Sequence, residues 1–424
     1  MRRRTLLGAA GVAVPAVALG GAPAPAAASA GGRRRWRHTW TAMPQLTEPG
    51  NMPPAPFTAD GVVLADTTIR QTVHLTVGGP VLRVRFSNAF GATPLPITSA
   101  AVALPAGGRA GVPGIQPGTS RPLTFGGRRS VTVPPGAQIV SDPVPSRVGP
   151  GINLSISVHL RQGQAGAPGQ VPVALTSHPG SRTTSWLAHG DVTDEPEMPG
   201  GPVGVDHWYL ISGVEVESSA VGLVVVGDSL TDGRGSTTNG NDRWPDQLFA
   251  RLPRVAILNQ AAGGNRVLND GLGPSVLARL DRDVLATSGA DRMLLFEGVN
   301  DIGTAAATDE AQRQLVADLL VAYEQIVVRA HAVGIPVHGA TITPFGGNEG
   351  YDDPGGLRER SRQAVNAAIR GGRLFDAVID FDAAVRDPAA PGRLLTAYDT
   401  GDHLHMNPAG YGALARAVPA RLIT

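Results

Sequence analysis

Apolar and polar positions alternate along the first half of the chain. Ile69, Gln71, Val73, Leu75 and Val77 interleave with Thr68, Arg70, Thr72, His74 and Thr76. After Gly78-Gly79-Pro80, Leu82, Val84 and Phe86 interleave with Arg83, Arg85 and Ser87. A period of two with one apolar face marks a half-buried strand, so the two runs predict a hairpin. Ile152 to Leu160 repeats the pattern, and Pro134-Pro135-Gly136 and Gly149-Pro150-Gly151 punctuate it. Short strands with Pro/Gly turns and no evident amphipathic helix predict an all-β sandwich domain over residues 36–217.

After Ser219 the period changes. Val221–Val226 is almost continuously apolar, as in a strand buried on both faces. Short apolar runs recur at Val255–Leu258, Met293–Phe296, Pro336–Ile342 and Ala377–Ile379. Helix-length segments separate them near Pro245–Leu252, Pro274–Ala286, Glu310–Val333 and Leu357–Arg370, and Pro408 suits the first turn of a last helix. This alternation predicts an α/β domain with a doubly wound parallel sheet over residues 220–424. Only Ser218-Ser219 lies between the two patterns.

Composition narrows the partners. The chain has 424 residues, too many for one ordinary core, and its 42% hydrophobic content is that of a globular protein. Charged residues make up 17% and the net charge is +1, so no basic field favours nucleic acid or an anionic membrane. There is no cysteine, so no disulfide supports the fold. Arg2-Arg3-Arg4-Thr5-Leu6-Leu7 precedes an Ala/Val/Leu-rich stretch, and Ala28-Ser29-Ala30 offers small residues for cleavage. Residues 1–30 therefore predict a twin-arginine export signal and a secreted product. Pro15 and the Ala/Gly content make this stretch a poor bilayer span, so no stable membrane anchor is expected. Nothing in the pattern sets an oligomeric state.

In a doubly wound sheet, ligands bind beyond the carboxyl ends of the strands. The corresponding loops hold Gly227-Asp228-Ser229-Leu230, Asn259 to Arg266 with Gly263-Gly264, Glu297-Gly298-Val299-Asn300-Asp301, and Asp402-His403-Leu404-His405. These are the parts of acyl transfer. A serine hydroxyl needs a base, and His405 has the right chemistry. Asp402, three residues earlier, can fix the imidazole tautomer. The Ser229 and Gly264 N–H groups and the Asn300 amide can hold an oxyanion. Glu297 and Arg266, beside those loops, are candidate substrate contacts or loop supports. His403, His405, Asp399 and Asp402 could suggest a metal site, but no further ligand cluster accompanies them, so neither a metal nor a cofactor is expected. Each residue alone is an ordinary loop residue; their joint placement carries the inference.

Gly-Asp-Ser-Leu at 227–230, Gly264 after Asn259-Gln260, Gly298-x-Asn300-Asp301 and Asp402-x-x-His405 together resemble the four signature blocks of the SGNH (GDSL) hydrolases. The resemblance covers about residues 220–424. It implies a Ser229/Asp402/His405 triad, an oxyanion hole from Ser229, Gly264 and Asn300, and a flavodoxin-like three-layer α/β/α fold. The β-rich half resembles, without a sharp motif, the sandwich attached to some secreted members. Met406 stands where many members have Pro directly after the histidine, a departure expected to alter loop shape rather than chemistry. Thr231 breaks a Gly-x-Ser-x-Gly elbow, which argues against the α/β-hydrolase fold. The expected activity is carboxylic ester hydrolysis on a small-molecule or carbohydrate ester. The alternatives are carbohydrate O-deacetylation or acyl transfer on the same site, a non-catalytic carbohydrate-binding protein, and a flavin-binding protein.

Overall fold

A computed structural model describes residues 34–424 apart from Asp60 and Val171. The predicted export signal lies outside the described residues. The main strands of the β-rich region are β1 (Arg35–Thr41), β2 (Thr67–His74), β3 (Gly79–Ser87), β4 (Ser99–Ala103), β5 (Asn153–Leu160), β6 (Ser185–His189) and β7 (Ile211–Ser218). They form two antiparallel sheets. One runs β1-β7-β3 and is extended along β3 by Gln138–Val140 and Val144–Val148. The other contains β6-β2-β5-β4 in that order, flanked by Val203–Val205 and Arg121–Pro122.

The expected hairpin does not form. β2 pairs with β5 and β6, whereas β3 pairs with β7, so the Gly78 turn carries the chain from one sheet to the other. Alternation specifies which residues share a face, not which strand lies alongside. The polar residues of β2 from Thr67 to Thr72 are also buried rather than wet. Arg70 is enclosed and donates to the carbonyls of Pro113, Val192 and Glu195, so overlying loops cover that face.

Two residues after β7 the chain enters β8 (Val221–Gly227) and then α1 (Ser229–Asp232), α2 (Trp244–Arg251), β9 (Val255–Asn259), α3 (Val276–Leu280), β10 (Arg292–Phe296), α4 (Val299–Thr304) and α5 (Asp309–His331). β11 (Val337–Ala340), α6 (Leu357–Arg370), β12 (Ala377–Ile379), α7 (Phe381–Val385) and α8 (Pro408–Ala417) complete it. The five strands pair in parallel in the order β9-β8-β10-β11-β12. The order reverses direction around β8, and the crevice at such a switch point is where open α/β sheets bind ligands. Leu223, Val224, Val225 and Val226 of β8 are fully buried, and each such side chain contributes about 1.5–3 kcal/mol.

Residues 34–424 pack as one compact unit, and one apolar core runs through both antiparallel sheets and the parallel sheet. Polar contacts stitch the seam. β9 is an edge strand, and its Ile257 N–H donates to Thr76 Oγ1 at 3.2 Å while its Asn259 carbonyl accepts from Thr41 Oγ1 at 3.0 Å. Asp291 takes Arg37 from β1 and the Gly222 N–H from β8. Among the described residues no helix is long and apolar enough to cross a membrane.

Candidate active site

β8 delivers the chain to Asp228, whose carboxylate accepts from the Leu230 N–H at 2.8 Å and caps α1. Ser229 is therefore the first helical residue. It is 8% exposed, and its hydroxyl donates to His405 Nε2 at 2.8 Å. His405 Nδ1–H donates in turn to Asp402 Oδ2 at 2.6 Å. The second Asp402 oxygen accepts the backbone N–H groups of Leu404 and His405 at 3.0 and 2.8 Å. Asp402 and His405 thus form a local turn whose own amides aim the carboxylate. Immediately after it, Asn407 caps α8 through the Ala409 and Gly410 amides.

Partial burial opposes ionisation of Asp402, but its bonds from the His405 backbone and ring and from Leu404 outweigh that and hold its carboxyl down at about 2. Burial pushes the His405 imidazole below its usual value. Asp402 pulls it up, and Arg234 and Arg182 push it further down, so the net shift is downward. The ring is neutral at neutral pH, with Nε2 free to accept a proton.

Gly264 holds φ +71°, and a side chain there would run into Leu272, so this loop position suits glycine alone. Asn300 lies in α4. Its Oδ1 accepts the Tyr351 hydroxyl at 2.5 Å, and its Nδ2 donates to the Asn265 carbonyl at 2.8 Å. Those two bonds fix which way the amide faces and leave one N–H of Nδ2 to spare. Buried Arg279 holds Asn265 Oδ1 with Nε and Nη2, and Asp301 accepts the Val267 and Leu268 N–H groups at 2.9 and 3.0 Å. The Gly264 and Asn300 loops are therefore tied to one another.

Ser229, Gly264, Asn300 and His405 all line one cleft of about 590 Å³. The β-rich region contributes Gln45, Glu48, Asn51, Gly180, Arg182 and His207 to its wall. Leu272 and Leu404 add apolar surface. The volume suits a small organic ligand. At the seam below, His178 Nε2 donates to Asp232 Oδ1 at 2.9 Å and its Nδ1 faces the Met43 carbonyl at 3.0 Å. A Cβ on Gly180 would overlap the Asp232 carboxylate, so only glycine lets the two regions close here.

Two candidate substrate contacts are corrected. Glu297 is 2% exposed and lies against Asp228, beneath the nucleophile loop rather than in the cleft. Burial, then the neighbouring Asp228, raises its carboxyl well above the usual range. Burial also raises Asp228, to about 6. Two such carboxyls side by side disfavour double ionisation, and Asp228 alone has a backbone donor, so Glu297 is the one that keeps its proton. Arg266 bonds the Asp270 carbonyl within its own loop and is not among the cleft residues. Both are supports. Sequence reasoning missed Tyr351, Arg182, Arg234 and His178. Only Tyr351 had a signal, since it falls in the Gly-rich loop that follows the strand-length run ending at Ile342, on the side of the sheet where ligands bind. His403 Nδ1 pairs with Asp399 at 2.6 Å, and no cluster of three or more metal-ligating side chains occurs among the described residues.

Residues 225–413 match the GDSL-like lipase/acylhydrolase family. No curated protein matches the chain. Among solved structures, a lipolytic protein of the G-D-S-L family from Desulfitobacterium hafniense is 19% identical, with 47% of this chain and 99% of that one covered and a TM-score of 0.35. An acetyl xylan esterase from Geobacillus stearothermophilus is 20% identical, covering 47% and 93%, with a TM-score of 0.36. A GDSL-like lipase from Bacteroides thetaiotaomicron is 17% identical, covering 46% and 84%, with a TM-score of 0.34.

Proposed function

We propose that this chain, whose residues 225–413 match the GDSL-like lipase/acylhydrolase family, cleaves carboxylic esters through an acyl-enzyme on Ser229. The observation that carries this reading is the unbroken line of hydrogen bonds from Ser229 Oγ through His405 to Asp402. Ser229 Oγ attacks the ester carbonyl as His405 Nε2 takes its proton. Asp402 holds the ring and stabilises the imidazolium that forms. The Ser229 and Gly264 N–H groups and the spare Asn300 N–H receive the oxyanion, and losing one such donor costs about 3–4 kcal/mol of the transition state. His405 returns its proton to the leaving alkoxide. Water, deprotonated by the same ring, then frees the acid. The same reading gives residues 220–424 a flavodoxin-like three-layer architecture behind a β-sandwich. A serine-directed phosphonate should add covalently to the wild type and not to Ser229→Ala. Labelling of that variant at an undiminished rate would remove Ser229 from the mechanism.

We also propose that the enzyme acts outside the cytoplasm, on the strength of Arg2-Arg3 ahead of the apolar stretch and Ala28-Ser29-Ala30. Secreted protein should begin near residue 31. Export that survives replacement of Arg2 and Arg3 by Lys would exclude the twin-arginine route.

A further inference from the structure

Two arginines stand beside the reacting groups without a protein partner among the described residues, Arg182 half-buried and Arg234 exposed to solvent at the cleft. Arg182 and Arg234 both line the cleft, and after Asp402 they are the charged groups that act most on His405. Neither guanidinium donates to any acceptor among the described residues, and Arg182 Nε is buried without one. Among the described residues the fully buried arginines are satisfied by contrast. Arg70, Arg279 and Arg362 each reach several acceptors. The carboxylates on the cleft wall are engaged instead with Gln45 and Asn51, through Glu48, and with His178, through Asp232.

The backbones of both arginines are held in place. Arg182 holds φ +49°, a region that L residues seldom occupy and that clusters at ligand contacts. Its carbonyl accepts from the Asn239 N–H at 2.9 Å, and Asn239 Oδ1 accepts from the Thr184 N–H at 2.8 Å, so the turn is clamped across the seam. The Arg234 N–H donates to the Ser229 carbonyl at 3.0 Å, and its own carbonyl accepts the Tyr411 hydroxyl at 2.5 Å. Two cations here also oppose the imidazolium that His405 must form. A neutral ester leaves that penalty in place, whereas an anion seated between them cancels it. A guanidinium matches a carboxylate with paired N–H donors.

We propose that the cleft takes esters that carry a carboxylate, bound by Arg182 and Arg234. This rests on the ester-hydrolase reading above. The test compares matched pairs: mono-para-nitrophenyl glutarate with para-nitrophenyl pentanoate for an acyl-side anion, and para-acetoxybenzoate with its methyl ester for an alcohol-side anion. In at least one pair the anionic member should have a kcat/KM about tenfold higher, an advantage in the range of a charge-assisted hydrogen bond, and added salt should erode it. In the Arg182→Gln, Arg234→Gln double variant that ratio should fall to near one. A ratio taken within one preparation does not depend on how much of the variant is folded. Equal or faster turnover of the neutral members by the wild type, or a ratio that survives the double substitution, would overturn the proposal. Calorimetric titration of Ser229→Ala with para-acetoxybenzoate and its methyl ester judges the cleft without turnover: equal affinity for the two, with acyl-side preference also absent, rejects the carboxylate site. Loss of all ester cleavage and of phosphonate labelling in the wild type would instead reject the hydrolase reading.

Discussion

As the proposed general base, His405 must be neutral, and its surroundings set the acidic limit of turnover. Burial and the two arginines outweigh Asp402, so the folded imidazole titrates below its ordinary value of 6.5. The acid limb of kcat/KM should therefore lie below 6.5, with full activity at neutral pH. Replacing Arg234 by Gln removes a cation and should move the limb upward. An unmoved limb would mean that His405 does not govern it. Stability carries the same sign. Below 6.5 the unfolded chain takes the proton first, so this group's contribution is present above 6.5 and is lost as the pH falls toward the folded value. The Asp402 contribution follows only on further acidification, toward about 2. Ser229, Gly264, Asn300, Asp402 and His405 were legible because each falls in a loop that the strand pattern places at the same sheet edge. Glu297 and Arg266 were left between contact and support because nearness in sequence does not say whether a side chain points into the cleft or beneath it. Arg182 was invisible because its contact is made across the seam from the β-rich region.

Among the elements, the parallel sheet was readable and the antiparallel pairing was not. A continuously apolar run bounded by helices leaves β8 to β12 one kind of environment, and the observed strands fall within a few residues of the expected ones. β2 and β3 alternate cleanly, yet a period of two is equally satisfied in either sheet. What positions these elements against one another is a small number of buried polar contacts, and His178–Asp232 is the most enclosed of those at the cleft. Removing one member of a buried pair strands the other, which typically costs about 3–5 kcal/mol. His178→Ala should therefore lower the denaturation midpoint by a corresponding amount and weaken substrate binding, since α1 carries both Asp232 and Ser229. A midpoint within experimental error of wild type would show that the pair does not hold the seam.

At the scale of the whole molecule, the β-rich region is wall and cover together. It supplies one side of the cleft and occupies the edge strand of the parallel sheet through Thr41 and Thr76. An uncovered edge strand beside exposed core is a template for aggregation. Residues 219–424 expressed alone should therefore be insoluble or associate. Should the fragment be monomeric and keep the substrate preference of the full chain, the β-rich region would be dispensable to the site. The first strand of that region pairs with its last, Arg35 opposite Ser218. During synthesis from the N-terminus, β1 must wait for β7, and the next segment to appear carries Ser229. The wall of the cleft, the nucleophile and the base come from segments far apart along the chain, Gln45 to His207, Ser229 and His405. Closing such long loops is slow, and no nascent piece of this chain holds a working site. A working site therefore forms only once the segment that carries Asp402 and His405 has docked against Ser229.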